Sequence, residues 1–257
     1  MHDTAAVISI KTAPASRGMD WLIDSFTIFS KNWLAWGGVT IFLLILGLLS
    51  NIVPVVGPIV LQLIFPVFVG GLMLGCRTAD KGDDFAFTLL FSGFNGNLIQ
   101  LLVIGVVHLL GILVILVICG VMFIATLGGM EAMQEMVTSI KKAAAENDIN
   151  RIIEVMGPFA QSILLVELIG LALYLPLLIL VWFAPALIVL KNMNAITAMK
   201  DSFIGCLKNM FSFLVYGVIG LIFTLVATIP LGLGWLVFMP MIIISIYLAY
   251  KDIFQKS

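Results

Sequence analysis

The chain has 257 residues, 62% of them hydrophobic and 11% charged, with a formal net charge of −1. Soluble domains average about 45–50% apolar and about 25% charged, so this much apolar surface requires a bilayer as its solvent. An ordinary cytosolic enzyme, a disordered regulator and a nucleic-acid binder, which needs a basic surface, are excluded.

The first expected element is an amphipathic helix over about 17–32, with no cleavable leader before it. Met19, Leu22, Phe26, Phe29 and Trp33 step by three and four, while Asp20, Asp24 and Lys31 fall off that stripe. A membrane-crossing helix needs about 20 apolar residues, and six segments supply them: about 34–53, 56–76, 98–127, 162–190, 211–231 and 233–250. The first two form a tight hairpin through Pro54 and Gly57. The second span carries Gln62, read as interhelical glue, and the close-packing spacing Gly71-x-x-x-Gly75.

The loop that follows holds Arg77, Asp80, Asp83 and Asp84, either a solvated turn at Gly82 or a Mg²⁺ site beside a lipid phosphate. A second amphipathic helix is expected over about 84–96. Spans three and four are longer than a straight crossing needs, and Gly170, Pro176 and Pro185 predict a kink or break in the fourth. Between them, residues 128–158 form an outer amphipathic loop of two short helices interrupted at Glu146-Asn147-Asp148. It serves as a partner-docking element or a plain surface cover. A third amphipathic helix is expected over about 195–209, and the last two spans join at Pro230 and Gly232.

A unit recurs along this order. Asp24-Ser25-Phe26 returns 177 residues later as Asp201-Ser202-Phe203, and Lys31-Asn32 returns as Lys208-Asn209. The motif Phe26, Phe29, Asn32 aligns with Phe203, Cys206, Asn209 and, more weakly, with Phe91, Phe94, Asn97. Each copy leads into a hairpin whose second helix holds Phe65-Pro66, Phe183-Ala184-Pro185 or Phe238-Met239-Pro240. The expected fold is an all-α integral membrane protein, a six-helix bundle forming a single domain over 1–257. It is built from three like-oriented repeats of amphipathic interfacial helix plus transmembrane hairpin. The amphipathic faces rest in the headgroup region, on the bundle, or on both. The asparagines are expected to mark the bend into each span.

Ten of the thirteen basic residues fall on the side that holds both termini; only Lys141, Lys142 and Arg151 fall on the other. The positive-inside rule then places both termini in the cytoplasm of a bacterial inner membrane. Two ionisable residues lie within spans, His108 and Glu167. They form a proton-carrying pair or act as structural polar groups. Cys76, Cys119 and Cys206 are odd in number and lack CxxC spacing, so they are read as reduced apolar residues. His2 and His108 cannot form a zinc cage, and no GxGxxG, Walker A, HExxH or GxSxG occurs. No catalytic residue, cofactor or metal is expected.

Gly70-Gly71-Leu72-Met73-Leu74-Gly75-Cys76-Arg77, with Asp80-Lys81-Gly82 and Leu90-Phe91-Ser92-Gly93-Phe94, resembles an uncharacterised family of proteobacterial multi-pass inner-membrane proteins. The chain also looks distantly similar to the membrane domain of some glycerophosphodiester phosphodiesterases, without their catalytic domains being expected in these 257 residues. The resemblance implies an inner-membrane location and no activity. The leading expectation is a non-enzymatic component that organises lipid or protein, with membrane lipids and a membrane-protein partner as its contacts and no nucleic acid. The alternatives are a small transporter with its site between spans three and four, and a lipid-modifying enzyme.

Overall fold

The computed structural model describes residues 9–255, so His2 and Lys256, the latter one of the ten basic residues on the side of the termini, lie outside the described residues. Among the described residues the chain is helical and has no strand. The α-helices are α1 (Arg17–Lys31), α2 (Trp33–Ser50), α3 (Val56–Asp80), α4 (Leu98–Thr126), α5 (Met130–Ala145), α6 (Ile149–Met156), α7 (Ala160–Trp182), α8 (Ala184–Lys191), α9 (Ala195–Lys208), α10 (Met210–Thr228) and α11 (Trp235–Phe254). Two 3-10 helices, Phe87–Phe94 and Gly157–Phe159, complete the set. Six segments are long and apolar enough to cross a membrane: α2, α3, α4, the run Ile149–Lys191, α10 and α11.

The chain divides into two compact units, 1–109 with 179–257, and 110–178. In the first unit the second helix of each hairpin is the buried one. From Pro66 onward α3 buries Val67, Phe68, Leu72, Met73 and Cys76, α8 buries Ala184 to Ile188, and α11 buries Phe238, Met241, Ile244, Tyr247 and Tyr250. The first helices are peripheral. α2 buries only Trp36, Val39 and Thr40, and α4 buries only Leu101, Ile104 and Gly105, the same three positions displaced by 65 residues. Most of their exposed surface is Leu, Ile and Val, which costs nothing against hydrocarbon.

The short helices pack in a fixed order. α1 lies on α10 and α11, the 3-10 helix Phe87–Phe94 on α2 and α3, and α9 on α8. The 3-10 helix and α9 therefore each rest on the hairpin that precedes them, whereas α1 rests on the hairpin of α10 and α11. Glycine permits the close approach of α1, since a Cβ at Gly18 would strike the Ser212 carbonyl and come within 2.8 Å of the Tyr216 nitrogen. The Asn32, Asn97 and Asn209 carbonyls accept from Trp36 N (3.1 Å), Leu101 N (3.1 Å) and Phe213 N (3.0 Å), starting α2, α4 and α10.

The amphipathic α-helix expected over 84–96 is instead the 3-10 helix Phe87–Phe94. Backbone approach is the reason: a Cβ at Gly93 would meet the Val67 carbonyl, and one at Gly71 the Leu90 carbonyl. The chain lies against α3 closer than an α-helix with side chains on that face allows. The long fourth span breaks at Phe183, with Pro185 in the first turn of α8 and Pro176 accommodated inside α7. The Ser202 hydroxyl sits in the break, accepting from Phe183 N (2.9 Å) and donating to the Ile179 carbonyl (2.7 Å). A side chain inserted into the helical ladder bends it while keeping both backbone groups satisfied.

The second unit comprises 110–126 of α4, α5, α6, Gly157–Phe159 and 160–178 of α7. Gly128 and Gly129, with φ of 94° and 110°, make the turn into α5 that other residues resist. Asp148 caps α6 by accepting from Arg151 N at 3.0 Å. α4 and α7 meet at small residues, a Cβ on Gly111 lying within 2.7 Å of the Leu177 side chain and one on Gly170 within 3.1 Å of Cys119 Sγ.

Candidate functional site

Successive helical residues rotate by about 100°, which sorts α1 into three sectors. Gly18, Trp21, Leu22, Ser25, Ile28 and Phe29 are buried. Met19, Ile23 and Phe26, followed by Trp33, form an exposed apolar sector, with Phe26 at 51% and Trp33 at 59% exposure. Asp20, Asp24, Thr27 and Lys31 form the polar sector. The expectation of a single stripe through Met19, Leu22, Phe26, Phe29 and Trp33 is therefore corrected: Leu22 and Phe29 face the bundle, while the other three face outward. A helix with two apolar neighbours of different kind needs a wider apolar arc than one stripe supplies.

α9 repeats this arrangement. It buries Ala195, Ala198, Met199, Ser202, Gly205 and Cys206, each 177 residues after its counterpart in α1. Ile196, Leu207 and Met210 are exposed with half-buried Phe203 in the same sector, and Lys200 replaces Ile23. Thr197, Asp201 and Lys208 form the polar side. Burial pushes the Cys206 thiol up to about 12, against the downward pull of a Ser202 hydrogen bond, so it stays protonated and unreactive. Burial also raises the Asp201 carboxyl, with Lys200 opposing.

The start of α1 is anchored from both sides. Asn209, 2% exposed, accepts from Ala13 N (2.7 Å) through Oδ1 and donates from Nδ2 to the carbonyls of Lys11 (3.0 Å) and Gly205 (2.9 Å). Ser212 Oγ donates to the Ala13 carbonyl, and Lys11 N donates to the Ile253 carbonyl. Asp252 Oδ2 accepts from Arg17 Nε (2.8 Å) and Trp21 Nε1 (2.8 Å) and pairs with Arg17 Nη2 at 2.7 Å. Desolvation pulls the Arg17 value down, but the Asp252 hydrogen bond and the charges of Asp252, Asp20 and Asp24 outweigh it, and the guanidinium stays charged. Asp80 Oδ2 joins α3 to α11 by accepting from Lys251 Nζ (2.6 Å) and Tyr247 OH (3.1 Å).

The remaining residues singled out in the sequence fall as follows. Phe91 and Phe94 are partly exposed and pack edge-on or tilted with Phe42, Phe68 and each other, with centroids 5.5–6.4 Å apart. Asn32 ends α1 and Asn97 precedes α4, and both are half-buried. His108 Nδ1 lies 2.7 Å from Gln62 Nε2, linking α4 to α3. Glu167 belongs to the second unit, is exposed, and among the described residues has no hydrogen bond or ion pair. No three of His, Cys, Asp and Glu come together to hold a metal ion among the described residues. Sequence reasoning missed the roles of Ser202, Asn209, Asp252 and Asp80. Ser202 stood inside the repeated Asp-Ser-Phe, which was its one available signal; Asp252 carried none.

No protein-family model matches the chain, and no solved structure matches it. A probable inner membrane protein of Burkholderia thailandensis is 28% identical over 229 residues, covering 86% of this chain and 77% of that protein. With six apolar helices of spanning length, the chain is a multi-pass inner-membrane protein.

Proposed function

We propose that this protein is a non-enzymatic membrane component that organises lipid, and the membrane proteins beside it, at the cytoplasmic face of the inner membrane. The observation that carries this reading is the matched pair of exposed apolar sectors on α1 and α9, Met19, Ile23 and Phe26 with Ile196 and Leu207 beside half-buried Phe203. Each sector lies between a buried face and a polar face, the division that suits a helix held at the headgroup level. Three like-oriented repeats underlie the arrangement. The equal burial registers of α1 and α9, and of α2 and α4, support them. With basic residues concentrated beside α1, α9 and the chain ends, this face is cytoplasmic, and a phosphatase reporter fused to either terminus stays inactive. The distant similarity to the membrane domains of some glycerophosphodiester phosphodiesterases concerns the bundle and brings no catalysis with it. The close meeting of α4 and α7 at Gly111 and Gly170 lends the transporter alternative less support.

Spin-labelled phospholipid in reconstituted vesicles tests the reading. The fraction of motionally restricted lipid falls when Met19, Ile23 and Phe26 are all replaced by serine, and falls further with Ile196→Ser and Leu207→Ser. An unchanged fraction in a folded variant refutes it.

A further inference from the structure

We propose that α9, and not its counterpart α1, selects anionic phospholipid headgroups. The inference rests on the lipid-organising reading and adds to it the class of lipid and the helix that prefers it. The two copies differ in charge. α1 carries Arg17 and Lys31 against Asp20 and Asp24, whereas α9 carries Lys200 and Lys208 against Asp201, and Lys191 closes α8 just before it. At the shift of 177, Asp20 becomes Thr197 and Ile23 becomes Lys200.

The cations beside α9 are uncommitted. Lys191, Lys200 and Lys208 are exposed, and none makes a hydrogen bond or an ion pair among the described residues. Half-buried Asp201 is the one carboxylate of this helix and forms no ion pair with them among the described residues. In α1 the charges are spent within the protein. Arg17 pairs with Asp252 at 2.7 Å, Asp20 at 3.4 Å and Asp24 at 3.6 Å.

Position points to the ligand. Successive residues rotate by about 100°, so Lys200 falls at the border between the apolar sector of Ile196, Phe203 and Leu207 and the polar side of Thr197, Asp201 and Lys208. A lysine at that border lays its stem along apolar surface and lifts its ammonium to the level of lipid phosphates. α9 leads through Asn209 into α10, where Met210, Phe211 and Leu214 are exposed on a span, so Lys208 stands where the chain enters the bilayer. The general bias of cytoplasmic loops toward basic residues accounts for Lys191 and Lys208, but it does not put a lysine in the register that α1 gives to Ile23. The helix is also held against rolling. Gln100 accepts from Ala195 N at 2.8 Å, Ser202 bonds Phe183 N and the Ile179 carbonyl, and Asn209 donates to the Lys11 carbonyl at 3.0 Å. A face fixed in this way needs little further ordering on binding.

The test compares spin-labelled phosphatidylglycerol with spin-labelled phosphatidylcholine at the boundary of the full chain in phosphatidylcholine vesicles. Wild type is expected to restrict the anionic lipid in preference, and concentrated KCl is expected to weaken that preference. One lysine beside an anionic surface is worth about fivefold, so replacing Lys191, Lys200 and Lys208 together by glutamine lowers the preference, averaged over the whole boundary, by about twofold or more. Lys31→Gln, on α1, leaves it unchanged, while Ile23→Lys gives α1 the register of α9 and raises it. Failure of the lipid-organising reading shows in the phosphatidylcholine signal alone, through the serine variants of the apolar sectors. Failure of this inference shows in the ratio of the two lipids. Equal restriction of both by wild type, or a preference that survives the triple replacement, overturns it. Equal restriction joined to salt-sensitive retention on polyglutamate, lost in the triple variant, overturns it in favour of an acidic protein surface.

Discussion

Replacing Asn209 by alanine should release the start of the chain, and the same change at Asn32 should not. The two residues hold equivalent places, each ending a short helix and starting a span. Asn209 is almost fully buried and makes three side-chain bonds, to Ala13, Lys11 and Gly205. An unmade bond at a buried polar group costs about 1–3 kcal/mol. Three such groups, partly relieved by water entering where the side chain was, amount to about 2–4 kcal/mol. The Asn32 side chain is half-buried and makes no hydrogen bond among the described residues, so its truncation falls within about 0.5 kcal/mol. For a chain of this length 1 kcal/mol moves the melting temperature by about 2–4 °C. Asn209→Ala should therefore melt roughly 4–16 °C lower in detergent, with Asn32→Ala close to wild type. Trypsin supplies a local readout: cleavage after Lys11 accelerates in Asn209→Ala and stays slow in Asn32→Ala. Equal melting shifts for the two variants, or equal cleavage at Lys11, would refute the assignment of Asn209 as the anchor.

Three further outcomes follow from the packing. Ser202→Ala should cost about 1–3 kcal/mol by leaving Phe183 N and the Ile179 carbonyl unmet at the break, whereas Ser25→Ala, whose hydroxyl bonds only its own helix at Leu22, should cost less; paired thermal melts check this. Gly93→Ala should destabilise by about 1–3 kcal/mol because the new Cβ meets the backbone of Val67 and Gly71, while Gly37→Ala, with open space around it, should be neutral or stabilising in the same melts. Asp201→Asn should raise the melting temperature at neutral pH. Burial lifts the folded carboxyl above its ordinary 3.8, so the protonated form is favoured and stability falls as pH rises from 3.8 through the folded value. The gain of the asparagine variant should vanish below pH 3.8, and a gain that persists there would contradict the cause given.

The spans were legible because each is a run of apolar residues bounded by turn formers, a signal that needs no tertiary information. The break in the fourth span was legible from Pro185, but the hydroxyl that heals it comes from Ser202 on another helix, and single-chain periodicity does not report such a partner. Periodicity also merged two faces of α1, because a residue that meets protein and one that meets lipid are equally apolar. Over 84–96 the spacing of Phe91 and Phe94 suits an α-helix, but the approach of Gly93 to α3 decides the local geometry. Asn32 and Asn209 look alike in the sequence, and only the path of residues 9–16 past Asn209 separates them. Asp252 and Asp80 sit among ordinary terminal charges, so their shared bonds to Arg17, Trp21, Lys251 and Tyr247 were invisible until the helix ends were brought together.

The docking of α1 on α10 and α11 sets an order of events during synthesis. α1 leaves the ribosome first, yet the surface that covers Trp21, Leu22 and Phe29 is made roughly 200 residues later. At about 5–20 residues per second that interval is of order 10–40 s, long compared with the folding of a helix. Through it the nascent chain carries an uncovered aromatic face on α1, a face that a chain truncated before α10 never hides. Formation of the α10–α11 hairpin is thus reported at α1 by the disappearance of that face, and a protease that recognises exposed Trp21 and Leu22 would distinguish chains that have made this hairpin from chains that have not.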